Sequence, residues 1–287
     1  MHDVALTWQQ AGWLTAGLAA TSAALTWGPV GRARALAPFA RETTVIAGLY
    51  SLWQLAGTLS VLGTDGAYAR GRWVEHAERT LHLPSEAALQ RATTGRSEFV
   101  AQAANVYYAT MHFGGLFVFL LWLFVRHRDR YRPVRRVLAL TTLVCLLIQL
   151  VPVAPPRLLP QFGYVDTAAK YNLSVYNNGF GADALSAMPS VHVAWAVLVG
   201  WTVWRLGSRA GRWIGPAHTV VTVFVVVATA NHFWADGIVA VAVLLACAGL
   251  ERAGRAAVAS WQRRRAPAAV TPCYPAAAAA APAPPGR

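Results

Sequence analysis

Residues 216–250 read PAHTVVTVFVVVATANHFWADGIVAVAVLLACAGL, 35 positions with one acid, Asp236, and no Lys or Arg. As a single helix at about 1.5 Å per residue the stretch measures about 52 Å, far more than the ~30 Å of hydrocarbon it has to cross. The break at Asn231 divides it into two shorter spans, with Asn231 placed to cap the second. Other apolar stretches of roughly 17–25 residues, the length a crossing needs, lie at 11–30, 43–63, 100–125, 137–154 and 188–206. The expected fold is all-α, a polytopic membrane helix bundle of about seven transmembrane helices.

Composition points the same way. Of 287 residues 56% are hydrophobic and 13% charged, with mean hydropathy +0.38, too apolar for an ordinary water-soluble surface. A net charge of +13 raises nucleic acid as a partner, but the arginines cluster between apolar runs instead of forming a basic stripe, so no nucleic-acid role is expected. Cys145 and Cys247 lie inside apolar stretches and Cys273 in a tail, which signals neither a disulfide framework nor a thiolate metal site.

The basic residues also orient the chain. Segments 31–42, 126–136, 205–215 and 251–287 carry 18 of the 25 Arg and Lys, whereas 64–99 and 155–187 carry 7. With the acids included the split is +15 against −2, so 64–99 and 155–187 are expected to face outward, with the carboxyl terminus inside. The resulting organisation is 1–66 as amino-terminal transmembrane helices, 67–98 as outer interfacial helices and 99–250 as a catalytic transmembrane core. Residues 251–287 follow as a tail, basic and then Ala/Pro-rich, expected to be disordered in the cytoplasm. The first ten residues lack a basic signal-peptide start, so the first span is expected to be retained. Trp8, Trp13, Trp27, Trp73, Trp201, Trp204 and Trp213 sit near span ends, where indoles anchor at the interface. Segment 67–98 alternates charged and apolar residues and restarts at Pro84-Ser85-Glu86, as two short helices lying on the membrane would, serving as connector or lid.

An ionisable group near a span costs about 2.5–3.5 kcal/mol at the helix centre unless it faces a cavity or a partner. His192 follows Pro189 and Ser190 at the start of span 188–206, with Pro189 suited to the first helical turn. His232 and Asp236 are four apart, hence on one helix face, where a carboxylate fixes the imidazole tautomer and raises its basicity. Alternating the spans brings Arg157, His192 and His232 to the same outer face. Two helix amino termini point there as well, and Lys170, the one lysine, lies in the adjoining loop. The assembly reads as a phosphate site. A metal site is not expected, because the His-Glu-x-x-His spacing is absent and basic neighbours repel cations.

At these residues the chain resembles the type 2 phosphatidic acid phosphatase superfamily, and within it the branch of fungal inositol phosphorylceramide synthases and their bacterial relatives. The likeness runs over about residues 70–250 and rests on Ala187-Met-Pro-Ser-Val-His192 and Asn231-His232-Phe-Trp-Ala-Asp236. Tyr107-Tyr108 with His112, and Pro155-Pro156-Arg157 followed by Gly163-Tyr-Val-Asp-Thr167, add to it. Two features depart from the phosphatases. Their first signature is missing in register, since Arg132-Pro133 falls on the cytoplasmic side, and Val225-Val226 replaces a Ser-Arg pair before the second histidine. Arg132-Pro133 is therefore rejected as the phosphate clamp, and the loss of the Ser-Arg pair favours the synthase-like branch.

The resemblance implies a six-helix core plus one helix, a multi-pass cell-membrane location and a metal-independent, cofactor-free, two-step phosphoryl transfer on the extracytoplasmic side. His232 is then the nucleophile that becomes phosphohistidine, Asp236 stabilises its imidazolium, and His192 is the acid and base. Arg157 and the Ser190 amide or hydroxyl hold nonbridging oxygens, with Lys170 and Asn231 nearby. His112 is assigned to the acceptor. The partners implied are a membrane lipid and an alcohol or water acceptor; water makes the enzyme a lipid-phosphate phosphatase. A proton-coupled transporter is the rival of another class.

Overall fold

In the computed structural model, residues 8–27, 36–60, 65–173 and 183–265 are described. Residues 1–7, Cys273 and the Ala/Pro-rich stretch from 266 fall outside this range, as does the side chain of Trp8. The described residues form α-helices joined by short 3-10 turns, without a strand: α1 Trp8–Trp27, α2 Ala37–Ser60, α3 Ala67–Thr80, α4 Glu86–Ala92, α5 Glu98–Arg126, α6 Arg128–Gln149, α7 Thr167–Lys170, α8 Val191–Leu206, α9 Ile214–Ala228 and α10 Trp234–Arg265. Among the described residues three segments, Glu98–Arg126, Gly211–Ala228 and Trp234–Arg264, are long and apolar enough to cross a membrane, and α8 is a shorter apolar helix. Residues through Glu251 form one unit, which contains every site residue, and Arg252 onward forms a second.

Helix starts follow local chemistry. Ser85, Ser97, Asp166 and Ser190 each accept from the backbone amide three residues on, capping α4, α5, α7 and α8, a bond generally worth about 1 kcal/mol. Pro189 therefore precedes the cap of α8 and does not occupy its first turn, a correction of the expected start at 188. The outer segment forms two helices, α3 and α4, restarting at Ser85 as its sequence indicates. The basic stretch 251–265 is helical, continuing α10, where the sequence led us to expect a tail.

The long apolar stretch breaks by a different device from the one expected. Ala230 N–H donates to Val227 O at 2.8 Å and Asn231 N–H to Val226 O at 3.0 Å, with Ala230 at φ 56°. This is the Schellman ending of a helix, with alanine where glycine is usual. Asn231 thus closes α9 and is not the cap of α10. Phe233 fills that position, its amide donating to Asp236 Oδ2 at 2.9 Å, the reach-back of a carboxylate at the third helical residue.

Packing is close where residues are small. A Cβ on Gly200 of α8 would lie 2.1 Å from Thr219 Oγ1 of α9 and 3.1 Å from Gly215 O, so the two backbones meet through glycines, as helices in lipid commonly do. Phe119 and Leu123 of α5, Leu138 of α6, Val199 of α8 and Leu244 of α10 share one core. Val74 of α3, Ala87 of α4, Tyr164, Ala230 and Phe233 build a second, beneath the outer helices.

The ends of α6 mark opposite ends of the bundle. Gln149 donates to Pro189 O at 2.9 Å, next to the start of α8. One helix stretch earlier, roughly 20 Å back along the axis at about 1.5 Å per residue, Arg135 pairs with Glu42 and Arg136 with Glu251. Arg132 belongs to this far end, away from the histidines, which supports rejecting it as a phosphate clamp.

Candidate active site

The loop between α6 and α8 is stitched by a parallel bridge in which Val153 N–H donates to Leu185 O at 2.7 Å and Ala187 N–H to Val153 O at 3.2 Å. That bridge fixes the Ala187 carbonyl, which accepts from His232 Nδ1 at 2.8 Å. Asp236 Oδ2 lies 3.3 Å from the same nitrogen. A carbonyl only accepts, so Nδ1 carries the proton and Nε2 presents its lone pair. His232 Nε2 is buried and has no hydrogen-bond partner among the described residues.

His192, in the first turn of α8, has its ring centroid 5.5 Å from that of His232, the two rings tilted at 56°. Stacking holds the His192 ring: Tyr108 lies at 4.4 Å and 21°, and His112 at 3.9 Å and 35°. His112 in turn stacks on Trp195 at 4.3 Å and 2°. A cavity of about 20 Å³ adjoins His112 and His192 and reaches Tyr107, His218 and Thr222.

Arg157 is buried and braces the turn that carries His232. Its Nε donates to Asn231 Oδ1 at 3.0 Å, its Nη1 to Asp166 Oδ2 at 3.0 Å and its Nη2 to Ala184 O at 3.3 Å, while its amide donates to Ala230 O at 2.8 Å. Its charge is therefore already opposed by Asp166. Asn231 completes the brace through Thr229 Oγ1 at 2.8 Å. Lys170 is exposed, with its ammonium over the Tyr171 ring at 5.0 Å.

Two expectations about amides are corrected. The Ser190 amide donates to the Asp236 main-chain carbonyl at 3.1 Å, and the Ser190 hydroxyl accepts from Val193 at 3.4 Å, leaving only its O–H for a ligand. The start of α10 does not offer free amides either. Trp234 N–H donates to Glu86 Oε1 at 3.3 Å and Ala235 N–H to Glu78 Oε1 at 2.6 Å, because α3 and α4 turn their acids inward over it.

Sequence reasoning found His192, His232, Asp236 and their convergence, and it put His112 and Arg157 in the right neighbourhood. It missed the Ala187 carbonyl, the stacking partner Trp195, and the inward carboxylates Glu75, Glu78 and Glu86. The spacing of those three acids on two amphipathic helices was the available signal.

A bundle of apolar helices that gathers two imidazoles, a buried carboxylate and a buried guanidinium at one end defines a class of membrane enzyme that handles phosphoryl groups. A model of the PAP2 superfamily matches residues 72–250, more than half of the chain, and the protein belongs to that superfamily. Members are phosphatases and phosphotransferases of the membrane, and this is the coarse activity of the chain. Neither a curated protein nor a solved structure matches it.

Proposed function

We propose that the protein is a cell-membrane lipid phosphotransferase of the inositol phosphorylceramide synthase-like, bacterial branch, spanning the bilayer about seven times with its site at the extracytoplasmic face. The observation that carries the reading is the state of His232: Nδ1–H tied to a carbonyl and a carboxylate, Nε2 without a partner, and a second imidazole beside it.

In the first step His232 Nε2 attacks phosphorus, the bond to the leaving alcohol breaks, and protonated His192 gives that oxygen its proton. Asp236 stabilises the positive ring so formed. In the second step neutral His192 takes the proton of the acceptor hydroxyl, whose oxygen displaces His232 and restores both rings. Arg157 and the Ser190 hydroxyl contact nonbridging oxygens, with Lys170 at the approach. Covalent catalysis and these cations do the work without metal or cofactor.

With water as acceptor the same site is a lipid-phosphate phosphatase. A proton-coupled transporter fits less well, because the ionisable groups gather at one end of the bundle, away from the midplane.

The test is a screen of lipid phosphates and phospholipids, with water or alcohol acceptors, in EDTA with product mass analysis. We expect phosphate release or headgroup exchange. His232→Ala abolishes turnover and phosphoenzyme labelling, whereas His192→Ala slows both steps and leaves slow labelling by an activated substrate. Turnover at the wild-type rate in either variant overturns the role assigned to that histidine. Cysteines introduced at 170 and 130 are expected to label from outside and inside, respectively; the reverse pattern moves the site to the cytoplasm.

A further inference from the structure

We propose that Glu78 of α3 and Glu86 of α4 form a proton-sharing carboxyl pair that fixes the first turn of α10 and thereby positions Asp236 and His232. The inference rests on the phosphotransfer reading of His232. Neither acid is part of the reaction as described above, yet both are almost fully buried, at 4% and 3% exposure.

The geometry begins with three consecutive amides. Phe233, Trp234 and Ala235 donate to carboxylate oxygens of Asp236, Glu86 and Glu78, so the opening of α10 is held from three different helices. A helix leaves its first amides unmet unless something outside the ladder accepts them. Here two of the three acceptors, Glu86 and Glu78, come from the outer segment, which makes it part of the frame of the site.

The pair needs a proton to exist. Glu86 and Glu78 accept from the consecutive amides of Trp234 and Ala235, which brings the two carboxyl groups to the same turn, and Glu78 Oε2 is buried with no donor among the described residues. Two carboxylates in contact repel, whereas one proton between them makes a short, strong O–H···O bond and leaves a single negative charge against the helix start. The surrounding groups leave Glu78 as the protonated member. Glu75 has Arg79 at 2.7 Å and the Tyr164 hydroxyl at 2.6 Å. Glu86 receives the Tyr164 hydroxyl at 3.3 Å. Glu78 faces Glu86 and Asp236, both acidic. Burial, and then the hydrogen bond to Glu86, push the Glu78 carboxyl up from 4.5 to about 9. Loss of that proton sets a second negative charge beside Asp236 and loosens the turn from which His232 projects.

The experiment uses the full chain in nanodiscs. It compares wild type, Glu78→Gln and Glu78→Ala by kcat and KM across pH, and by hydrogen-exchange protection of the Trp234 and Ala235 amides. Wild-type kcat is expected to fall above about pH 9. Glu78→Gln, which accepts from Ala235 and donates to Glu86 at every pH, is expected to rescue neutral-pH kcat to within about threefold and to lose the alkaline fall. Glu78→Ala is expected to lower kcat about tenfold or more with little change in KM, and to expose the two amides. An alkaline fall in Glu78→Gln equal to that of wild type, or normal kcat in Glu78→Ala, overturns the proposal. Should Glu78→Ala fail to fold, the Glu78→Gln profile decides alone. If wild type turns over no lipid phosphate, the phosphotransfer reading fails and amide protection judges the pair. Protection lost above about pH 9 in wild type but kept in Glu78→Gln supports it, and identical protection overturns it.

Discussion

Asp236→Asn separates two duties that a carboxylate beside a nucleophilic histidine can have. Where the carboxylate alone fixes the tautomer, its amide replacement costs about 10⁴ in rate. Here Ala187 O holds Nδ1–H at 2.8 Å and Asp236 stands farther off, at 3.3 Å. The carbonyl survives the substitution, so the ring keeps its orientation and only the charge opposite the imidazolium is lost. A hydrogen bond to a charged group contributes about 1.5–3 kcal/mol, which converts to a rate loss of roughly 10- to 150-fold. The 3.3 Å separation, long for a charge-assisted bond, places the expectation in the lower half of that range. The assay is rapid-quench formation of phosphoenzyme, with steady-state phosphate release alongside. Thermal unfolding is recorded in parallel, since the Asn amide at the buried, unpartnered Oδ1 position costs about 1–3 kcal/mol of stability. An unchanged rate refutes the charge argument, and a loss near 10⁴ refutes the claim that the carbonyl orients the ring.

Arg157→Ala leaves Asp166, whose side chain is 21% exposed, without its cation; we expect a stability loss of about 2–3 kcal/mol, discounted for that exposure. Adding Asp166→Ala should recover much of the melting temperature. If Arg157 also holds phosphate, the accompanying rise in KM stays unrecovered, and a KM that returns with stability marks it as a brace alone. Gly200→Ala drives a methyl into Thr219 Oγ1, costing about 1–3 kcal/mol; Thr219→Ala in the same background should restore most of it in thermal unfolding. Ala230→Gly relieves a left-handed residue at φ 56° and is expected to gain up to about 1 kcal/mol after the entropy of glycine is set against it; a clear loss refutes the Schellman reading. For pH, the folded state keeps the Glu78 proton that the unfolded chain releases above 4.5, so the Glu78 contribution to stability is full below about 4.5, declines as pH rises and levels off near 9. The difference in unfolding free energy between wild type and Glu78→Gln should trace that slope.

That the two imidazoles share one end of the bundle was legible because apolar length in a bilayer is nearly a one-dimensional constraint. The break in 216–250 followed from length alone, although its chemistry did not. Asn231 is as good a cap residue as any in the sequence, and it closes α9 because Ala230 takes the left-handed turn, which composition gave no reason to expect. Arg157 shows a similar limit. Its position in the loop between two spans was readable, but its commitment to Asp166, nine residues on, depends on how the loop folds back.

By itself the sequence determined the all-helical membrane class, the two histidine motifs and the pairing of His232 with Asp236, since spacing along one helix and hydropathy are properties of short stretches of chain. Tertiary structure alone decided which nitrogen of His232 is left for chemistry, that Arg157 is already opposed, and that Glu78 and Glu86 cap α10 from about 150 residues away. The first and last of those outcomes turn on main-chain carbonyls and amides. Every residue type carries them alike, so no side-chain pattern announces which two will meet.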